Sequence, residues 1–256
     1  MDVPPLIQEP VPAPPHPPRM SLAARLLNVF AVPGQVFNDV RSSPPTVSNW
    51  LVPSVLGAIV GALAAVIIFS QPSIQQQFQK ENQRIQEAVT AGKLTPDLAN
   101  VLEKITAPTS MKVFGAIVAA LGSFAGVFWW GFVLWLLAHR MLRVNVPFSK
   151  ALEVAGLAML VDVLGTVVGM LLIVHLGRIG ATPSLALVIK DFDVTRKGHL
   201  LAAAANIFAF WVVGVRSIGL AKLAGVPYLR AAWLVVTFWV IQQSLLVVTG
   251  IAQLAR

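Results

Sequence analysis

The sequence predicts an all-α, polytopic integral membrane protein with five transmembrane helices. Of its 256 residues, 56% are hydrophobic and only 12% are charged, whereas an ordinary soluble domain carries roughly 25% charged residues. Each of five apolar runs is long enough to cross about 30 Å of hydrocarbon as a helix, and helices satisfy their own backbone hydrogen bonds in lipid. The runs lie at about residues 49–70, 111–139, 150–175, 200–223 and 228–255.

The segment before the first span divides into a tail and two short helices. Residues 1–19 hold eight prolines and are expected to be a disordered tail, leaving residues 20–256 as the membrane domain. Ser21 to Phe30 and Gln35 to Arg41 each place apolar side chains on one helical face. Both are too short to span, which predicts two helices at the membrane surface. The chain does not open on a basic and apolar leader, so insertion is expected to use an internal helix.

A polar stretch between the first two spans predicts a helical hairpin outside the bilayer, over residues 73–106. Its first half alternates glutamines with charged residues and ends at Ala91-Gly92. Thr95-Pro96 then restarts a helix, because Thr is a suitable N-cap and proline fits the first turn.

The charge balance bears on partners and orientation. The net charge is +8, and the basic residues stand mostly in short connections beside apolar runs, where anionic lipid headgroups are the expected counter-charge. The chain has no dense basic block interleaved with aromatic residues, so the sequence does not indicate nucleic acid as a partner. The short connections after spans two and four are basic with little acid. This distribution favours a cytoplasmic N-terminus and an external C-terminus.

Small residues recur on one face of each of the first three spans. Glycine and alanine at this spacing let helix backbones approach closely, which predicts a tight bundle. Packing within one subunit is the favoured interpretation, and a contact between subunits is the alternative. The glycines concerned are Gly57, Gly61, Gly115, Gly122, Gly126, Gly165 and Gly169.

Asp162 is the most informative single residue, because it stands near the middle of the third span. A charge at that depth is costly, so the side chain should face protein or water rather than lipid. One interpretation is a site for a proton or cation. The other, which we favour, is a carboxyl group that fastens neighbouring helices together.

Four further polar residues lie within the last two spans. Arg216 is close enough to its helix end to extend to the headgroups, which is the favoured expectation, and an ion pair with Asp162 is the alternative. The uncharged groups are expected to hydrogen-bond between helices. They are Asn206, Gln242 and Gln243.

Sequence signals of an enzyme, a metal site or a cofactor are missing. The chain has no cysteine, and none of its four histidines pairs with a carboxylate at the spacing of metal ligands. No glycine-rich phosphate loop or GxSxG motif occurs. We therefore expect no catalytic residues, no metal and no cofactor.

The order of several loose motifs resembles the bacterial branch of the Yip (Ypt-interacting protein) membrane-domain family. They are A-V-P-G-Q-V-F-N-D-V (Ala31–Val40), W-L-V-P (Trp50–Pro53), V-P-F-S-K-A-L-E-V-A-G (Val146–Gly156), N-I-F-A-F-W (Asn206–Trp211) and S-I-G-L-A-K-L-A-G-V-P (Ser217–Pro227). The resemblance implies five spans, a cytoplasmic N-terminus and a place in the bacterial inner membrane. Where members often carry an acidic residue before I-F-x-x-W, this chain has Asn206, so no carboxylate role is carried over.

The combined expectation is a non-enzymatic scaffold or adaptor that self-associates or binds another membrane protein. Some bacterial relatives resemble accessory partners of exporters. A small transporter or channel that uses Asp162 is the first alternative. A lipid-handling protein, suggested by the surface helices and the basic connections, is the second.

Overall fold

The computed structural model describes residues 19–189 and 196–249, and within these it is built from ten α-helices. The tail predicted for residues 1–19 and the end of the predicted fifth span fall largely outside the described residues. In chain order the helices are α1 (Leu22–Asn28), α2 (Pro33–Ser42), α3 (Ser48–Ser70), α4 (Pro72–Thr90), α5 (Pro96–Thr106), α6 (Pro108–Leu136), α7 (Phe148–Leu176), α8 (Lys197–Ala204), α9 (Ile207–Ala224) and α10 (Tyr228–Val248).

Five of these helices are long and apolar enough to cross a membrane, namely α3, α6, α7, α9 and α10. The prediction of an all-α protein with five spans is therefore confirmed. A π-helical turn, Leu137–Met141, extends α6, and a short 3₁₀ turn, Leu185–Val188, lies in the connection after α7. Helices α1 and α2 precede the first span, and α4 and α5 form the helical hairpin, which turns at Gly92 with a φ of +68°.

The predicted fourth span, residues 200–223, differs from the structure. Helix α8 ends at Ala204, and the spanning helix α9 starts only at Ile207. Asn206 separates them as the N-cap of α9, because its side-chain oxygen accepts a hydrogen bond of 2.8 Å from the Phe208 amide. A side chain that satisfies a free amide in this way favours a new helix start over continuation.

The two sides of the bundle, at opposite ends of the spanning helices, carry different elements. Helices α1 and α2 and the two short connections after α6 and α9 share one side, where Lys222 of α9 lies near Gly34 of α2. We call this the N-terminal side. The opposite side, which we call the hairpin side, carries α4 and α5, and the Gln77 amide donates a 2.7 Å hydrogen bond to the Gly177 carbonyl at the end of α7.

The half of the bundle on the N-terminal side is closely packed. The main buried cluster takes its residues from α6 after Val127, from α7 before Asp162, from the second half of α9 and from the start of α10. Gly156 lets α7 approach the α3 backbone so closely that an added Cβ atom would lie 2.9 Å from the Asn49 carbonyl oxygen. The surface helix α2 inserts Phe37 into this cluster without leaving it any exposed surface.

Ionic contacts fasten the two surface helices to the packed half. Arg25 of α1 pairs with Asp39 of α2 at 2.8 Å, and both side chains are largely buried. The Lys150 ammonium of α7 donates a 2.6 Å hydrogen bond to the Val40 carbonyl in the last turn of α2. A cation near a helix C-terminus also complements the partial negative charge there. Helix α2 is therefore bonded directly to α7, and α1 is bonded to α2.

Candidate intramembrane site

A large cavity occupies the half of the bundle on the hairpin side. Its volume is about 1210 Å³, and residues of all five spanning helices line it. Its walls use α3 from Gly57 onward, residues 111–130 of α6, residues 155–173 of α7, the first half of α9 and the second half of α10. Most of these segments lie on the hairpin side, so the cavity runs from there towards the middle of the bundle.

The polar groups singled out in the sequence meet at this cavity. Although they come from three distant parts of the chain, all five line its wall: Asp162, Arg216, Asn206, Gln242 and Gln243. Most of the remaining wall is apolar or glycine. The cavity therefore combines an apolar lining with a few convergent polar groups, the combination typical of ligand sites.

An ion pair forms the deep end of the cavity. The Nη2 atom of Arg216 lies 2.8 Å from the Oδ2 atom of Asp162 and donates a hydrogen bond to it. The guanidinium group also stacks over the Trp130 ring, with its central carbon 4.1 Å from the ring centroid. The expectation that Arg216 extends to the headgroups is wrong, because the carboxylate and the indole hold its side chain inside the bundle.

The pair lies near the middle of two spanning helices. Asp162 is 14 residues from each end of α7, which corresponds to about 21 Å of helix on either side at 1.5 Å per residue. Arg216 stands equally close to the middle of α9. Below them, towards the N-terminal side, lies the packed cluster, so the pair marks the boundary between the hollow half and the packed half.

The two members of the pair differ in exposure. The Arg216 side chain is only 7% exposed, whereas the Asp162 side chain is 43% exposed and borders the cavity. One carboxylate oxygen, Oδ2, is taken by Arg216. Among the described residues nothing donates a hydrogen bond to the other oxygen, Oδ1. The accessible polar group at the deep end is therefore a hydrogen-bond acceptor.

The uncharged polar residues have different tasks. Gln242 joins α10 to α6, since its side-chain oxygen accepts a 3.3 Å hydrogen bond from the Trp129 indole. Asn206 instead caps its own helix, which differs from the expected bond between helices. Gln243 borders the cavity as the neighbour of Gln242.

Three of the predicted packing glycines sit at close contacts between α3 and its neighbours. A Cβ atom added at Gly57 would lie 2.7 Å from the Ser123 hydroxyl oxygen, and one at Gly61 would lie 2.9 Å from the Ala119 Cβ atom. At Gly115 it would meet the Ala65 Cβ atom at 3.1 Å. Gly165 is close to a different element, the Phe208 side chain of α9, at 3.0 Å.

The other three glycines have more space, which differs from the expectation of one tight stripe. A Cβ atom at Gly169 would come only within 4.0 Å of Pro183. At Gly122 and Gly126 it would meet no described atom within 4 Å, and both positions line the cavity. The same face of α6 therefore packs tightly at Gly115 and borders open space about two and three turns later.

A second polar cluster, which sequence reasoning did not select, lies inside the packed half. The Glu153 side chain is 1% exposed, and its Oε2 atom accepts a 2.5 Å hydrogen bond from the Asn49 amide of α3. Its other oxygen lies 3.1 Å from the Lys150 ammonium. Glu153 stands near the start of a span, where a carboxylate at the membrane interface is ordinary. Only the spacing of Lys150 and Glu153 at i, i+3 could have indicated the pair.

Among residues 19–189 and 196–249, no group of three or more His, Asp or Glu side chains could hold a metal ion.

Comparison with known proteins agrees with the topology. A search of curated proteins and a search of solved structures gave no match. The model of the Yip1 domain matches residues 27–250, a stretch that contains all five spans and the cavity. The resemblance seen in the sequence motifs is thus confirmed, and this integral membrane protein belongs to the Yip1 domain family.

Proposed function

We propose that the protein is a non-enzymatic membrane protein that binds a lipid-sized guest in its intramembrane cavity. The observation that carries the proposal is the Asp162–Arg216 pair at the deep end of a cavity of about 1210 Å³. Ordinary ligand pockets measure about 300–1,000 Å³, so this one has room for a larger molecule. An ionisable residue placed inside a membrane marks a functional site by default.

Packing energetics support a guest over a vacant space. Protein interiors are close-packed, and atoms that border a void lose their dispersion contacts on that side. The bundle closes tightly on its N-terminal side but leaves Gly122 and Gly126 uncovered on the cavity wall. A hydrocarbon chain in the cavity would restore those contacts and leave the polar pair to meet a head group.

The shape of the cavity distinguishes the alternatives that use Asp162. It reaches the middle of the bundle from the hairpin side, where the Trp130, Asp162 and Arg216 side chains line it. Beyond them the described part of the chain is packed. This geometry favours binding of a guest from one side over an open channel across the membrane.

Photolabelling tests the proposal. A diazirine-bearing C16 alcohol, added to the protein in phosphatidylcholine vesicles, is expected to label cavity-lining segments of α6 and α7 in a saturable manner. Gly126→Trp should abolish this labelling, because the indole would fill space at the wall where no atom lies within 4 Å. Gly214→Trp is the matched control, since Gly214 is also uncrowded but does not line the cavity. Equal saturable labelling of both variants would contradict the proposal.

An adaptor is the second candidate, and one observation favours it. Gly122 and Gly126 are four residues apart on α6 and face open space, and small residues at this spacing are where another transmembrane helix can pack. In this case the partner's helix would enter the cavity. Crosslinking from position 126 in native membranes should then yield a defined complex, and recovery of monomer alone would count against the adaptor.

The charge of the N-terminal side supports a cytoplasmic N-terminus in a bacterial inner membrane. Among the described residues its exposed cations have no carboxylate left to balance them, because Asp39 and Glu153 are already paired with Arg25 and Lys150. Anionic headgroups are suitable counter-charges. Single cysteines on this side should resist an impermeant thiol reagent applied outside intact cells, and rapid labelling would reverse the orientation. The exposed cations are Arg19, Arg41, Arg140, Arg143 and Arg230.

A further inference from the structure

The accessible chemistry at the deep end of the cavity restricts what can bind there. The Arg216 guanidinium is sandwiched between the Asp162 carboxylate and the Trp130 ring and is almost fully buried. Asp162, by contrast, is 43% exposed and lines the cavity, and its Oδ1 atom has no hydrogen-bond donor among the described residues. A guest therefore meets an acceptor and must supply a hydrogen-bond donor.

The charge of the pair restricts the guest further. Asp162 and Arg216 neutralise each other, so the deep end carries no net charge. A cationic head group would add an uncompensated charge near the middle of the membrane, where charges are costly. An anionic head group would face the carboxylate and could reach the guanidinium only by displacing it. Neither kind of charge fits as well as a neutral group.

We infer that the guest is an uncharged amphiphile whose hydroxyl head group donates a hydrogen bond to Asp162 Oδ1 while its hydrocarbon chain lies along the apolar wall. This inference rests on the proposed function and gives it a ligand class. The wall suits the chain, because Ala119, Gly122 and Gly126 of α6 and Ala64 and Ala65 of α3 all border the cavity. Long-chain alcohols and diacylglycerols have this chemistry.

Head-group competition tests the inference. Four C16 probes with the same diazirine-bearing chain end in a hydroxyl, a methyl ether, a sulfonate or a trimethylammonium group. In phosphatidylcholine vesicles the alcohol should label the cavity about tenfold more strongly than the ether, since a hydrogen bond to a carboxylate is worth roughly one tenfold step. The sulfonate and trimethylammonium probes should label more weakly than the alcohol. Similar labelling by all four, or a preference for either charged probe, would overturn the inference.

A change of one charge provides a second readout. Asp162→Asn leaves Arg216 without its counter-charge, so the sulfonate probe should become the preferred guest. Asp162→Glu keeps the carboxylate and should keep the preference for the alcohol. An unchanged preference in Asp162→Asn would overturn the inference, and the wild-type comparison decides it if that variant does not fold. Absence of saturable labelling by any probe would instead contradict the proposed function, so the two failures are distinguishable.

Discussion

The two halves of this bundle differ in what surrounds their buried charges. In the half on the N-terminal side, Glu153 is enclosed by Asn49 and Lys150 and has almost no exposed surface. In the half on the hairpin side, Asp162 has one oxygen on Arg216 and presents the other to a cavity. Both carboxylates are on α7 and both pair with a cation. The difference is that the first pair is enclosed by the chain itself, whereas the second borders space for a molecule that is not part of the chain.

This contrast indicates that the two carboxylates of α7 have different roles. A fully enclosed pair fixes the position of elements, and here it joins α7 to α3 and, through Lys150 and the Val40 carbonyl, to α2. A pair that borders space can exchange hydrogen bonds with a guest. Four changes test the contrast, in order of decreasing expected effect.

The largest loss of stability is expected for Glu153→Ala. The Lys150 ammonium would remain buried without its carboxylate, and breaking a buried pair in this way costs about 3–5 kcal/mol. Unfolding by denaturant in mixed micelles measures the change. A free energy of unfolding within 0.5 kcal/mol of the wild type would show that the pair does not hold the packed half together.

Gly156→Ala should also destabilise the packed half. Its new methyl group would meet the Asn49 carbonyl oxygen at 2.9 Å, together with the backbone of Trp50. Overpacking against a backbone that cannot move away costs about 1–3 kcal/mol. The same unfolding measurement applies, and a variant as stable as the wild type would refute the close approach of α3 and α7.

Asp162→Asn should cost less than Glu153→Ala, about 1–3 kcal/mol, which is the typical cost of leaving a buried hydrogen-bonding group without its partner. The Asp162 side chain is 43% exposed and borders a cavity that water can enter, whereas the Glu153 side chain is 1% exposed. The double variant Asp162→Asn/Arg216→Met should recover most of the loss, because it leaves no unpaired charge. A double variant less stable than Asp162→Asn would contradict this reasoning.

The smallest effect, and the only gain, is expected for Gly126→Ala. No described atom lies within 4 Å of the new methyl group, and alanine is favoured over glycine inside a helix by about 0.5–1 kcal/mol. The matched pair Gly126→Ala and Gly156→Ala should therefore shift the free energy of unfolding in opposite directions. A loss of stability in both variants would remove the distinction between the halves.

The spans could be predicted because length and apolar composition alone decide whether a segment suits a bilayer. The break inside the predicted fourth span could not, since the alanines at 202–205 continue the apolar pattern and the cap depends on the Asn206 side chain. Sequence reasoning did single out Asp162 and Arg216. It could not show that residues 54 apart lie at 2.8 Å, because that distance depends on how α7 and α9 cross.

Glycine spacing shows the same limit. The period of Gly115, Gly122 and Gly126 indicates one helical face, but not whether a neighbouring helix covers it. In the structure α3 covers the first position, whereas no described atom lies within 4 Å of a Cβ atom added at the other two, although α3 still contacts Ser123 between them. Periodicity indicates which residues share a helical face, but it does not indicate which part of that face a neighbouring helix covers.

The reactivity of single cysteines on α6 tests the division into halves most directly, and the chain has no cysteine of its own to interfere. Gly126→Cys faces the cavity, whereas Val133→Cys, seven residues later, lies in the packed cluster with 1% of its surface exposed. With N-ethylmaleimide, Gly126→Cys should react at least about tenfold faster, since the thiolate that reacts requires a hydrated site, and the C16 alcohol should slow it. Equal rates for the two folded variants, with or without the alcohol, would contradict a hollow half that receives a guest.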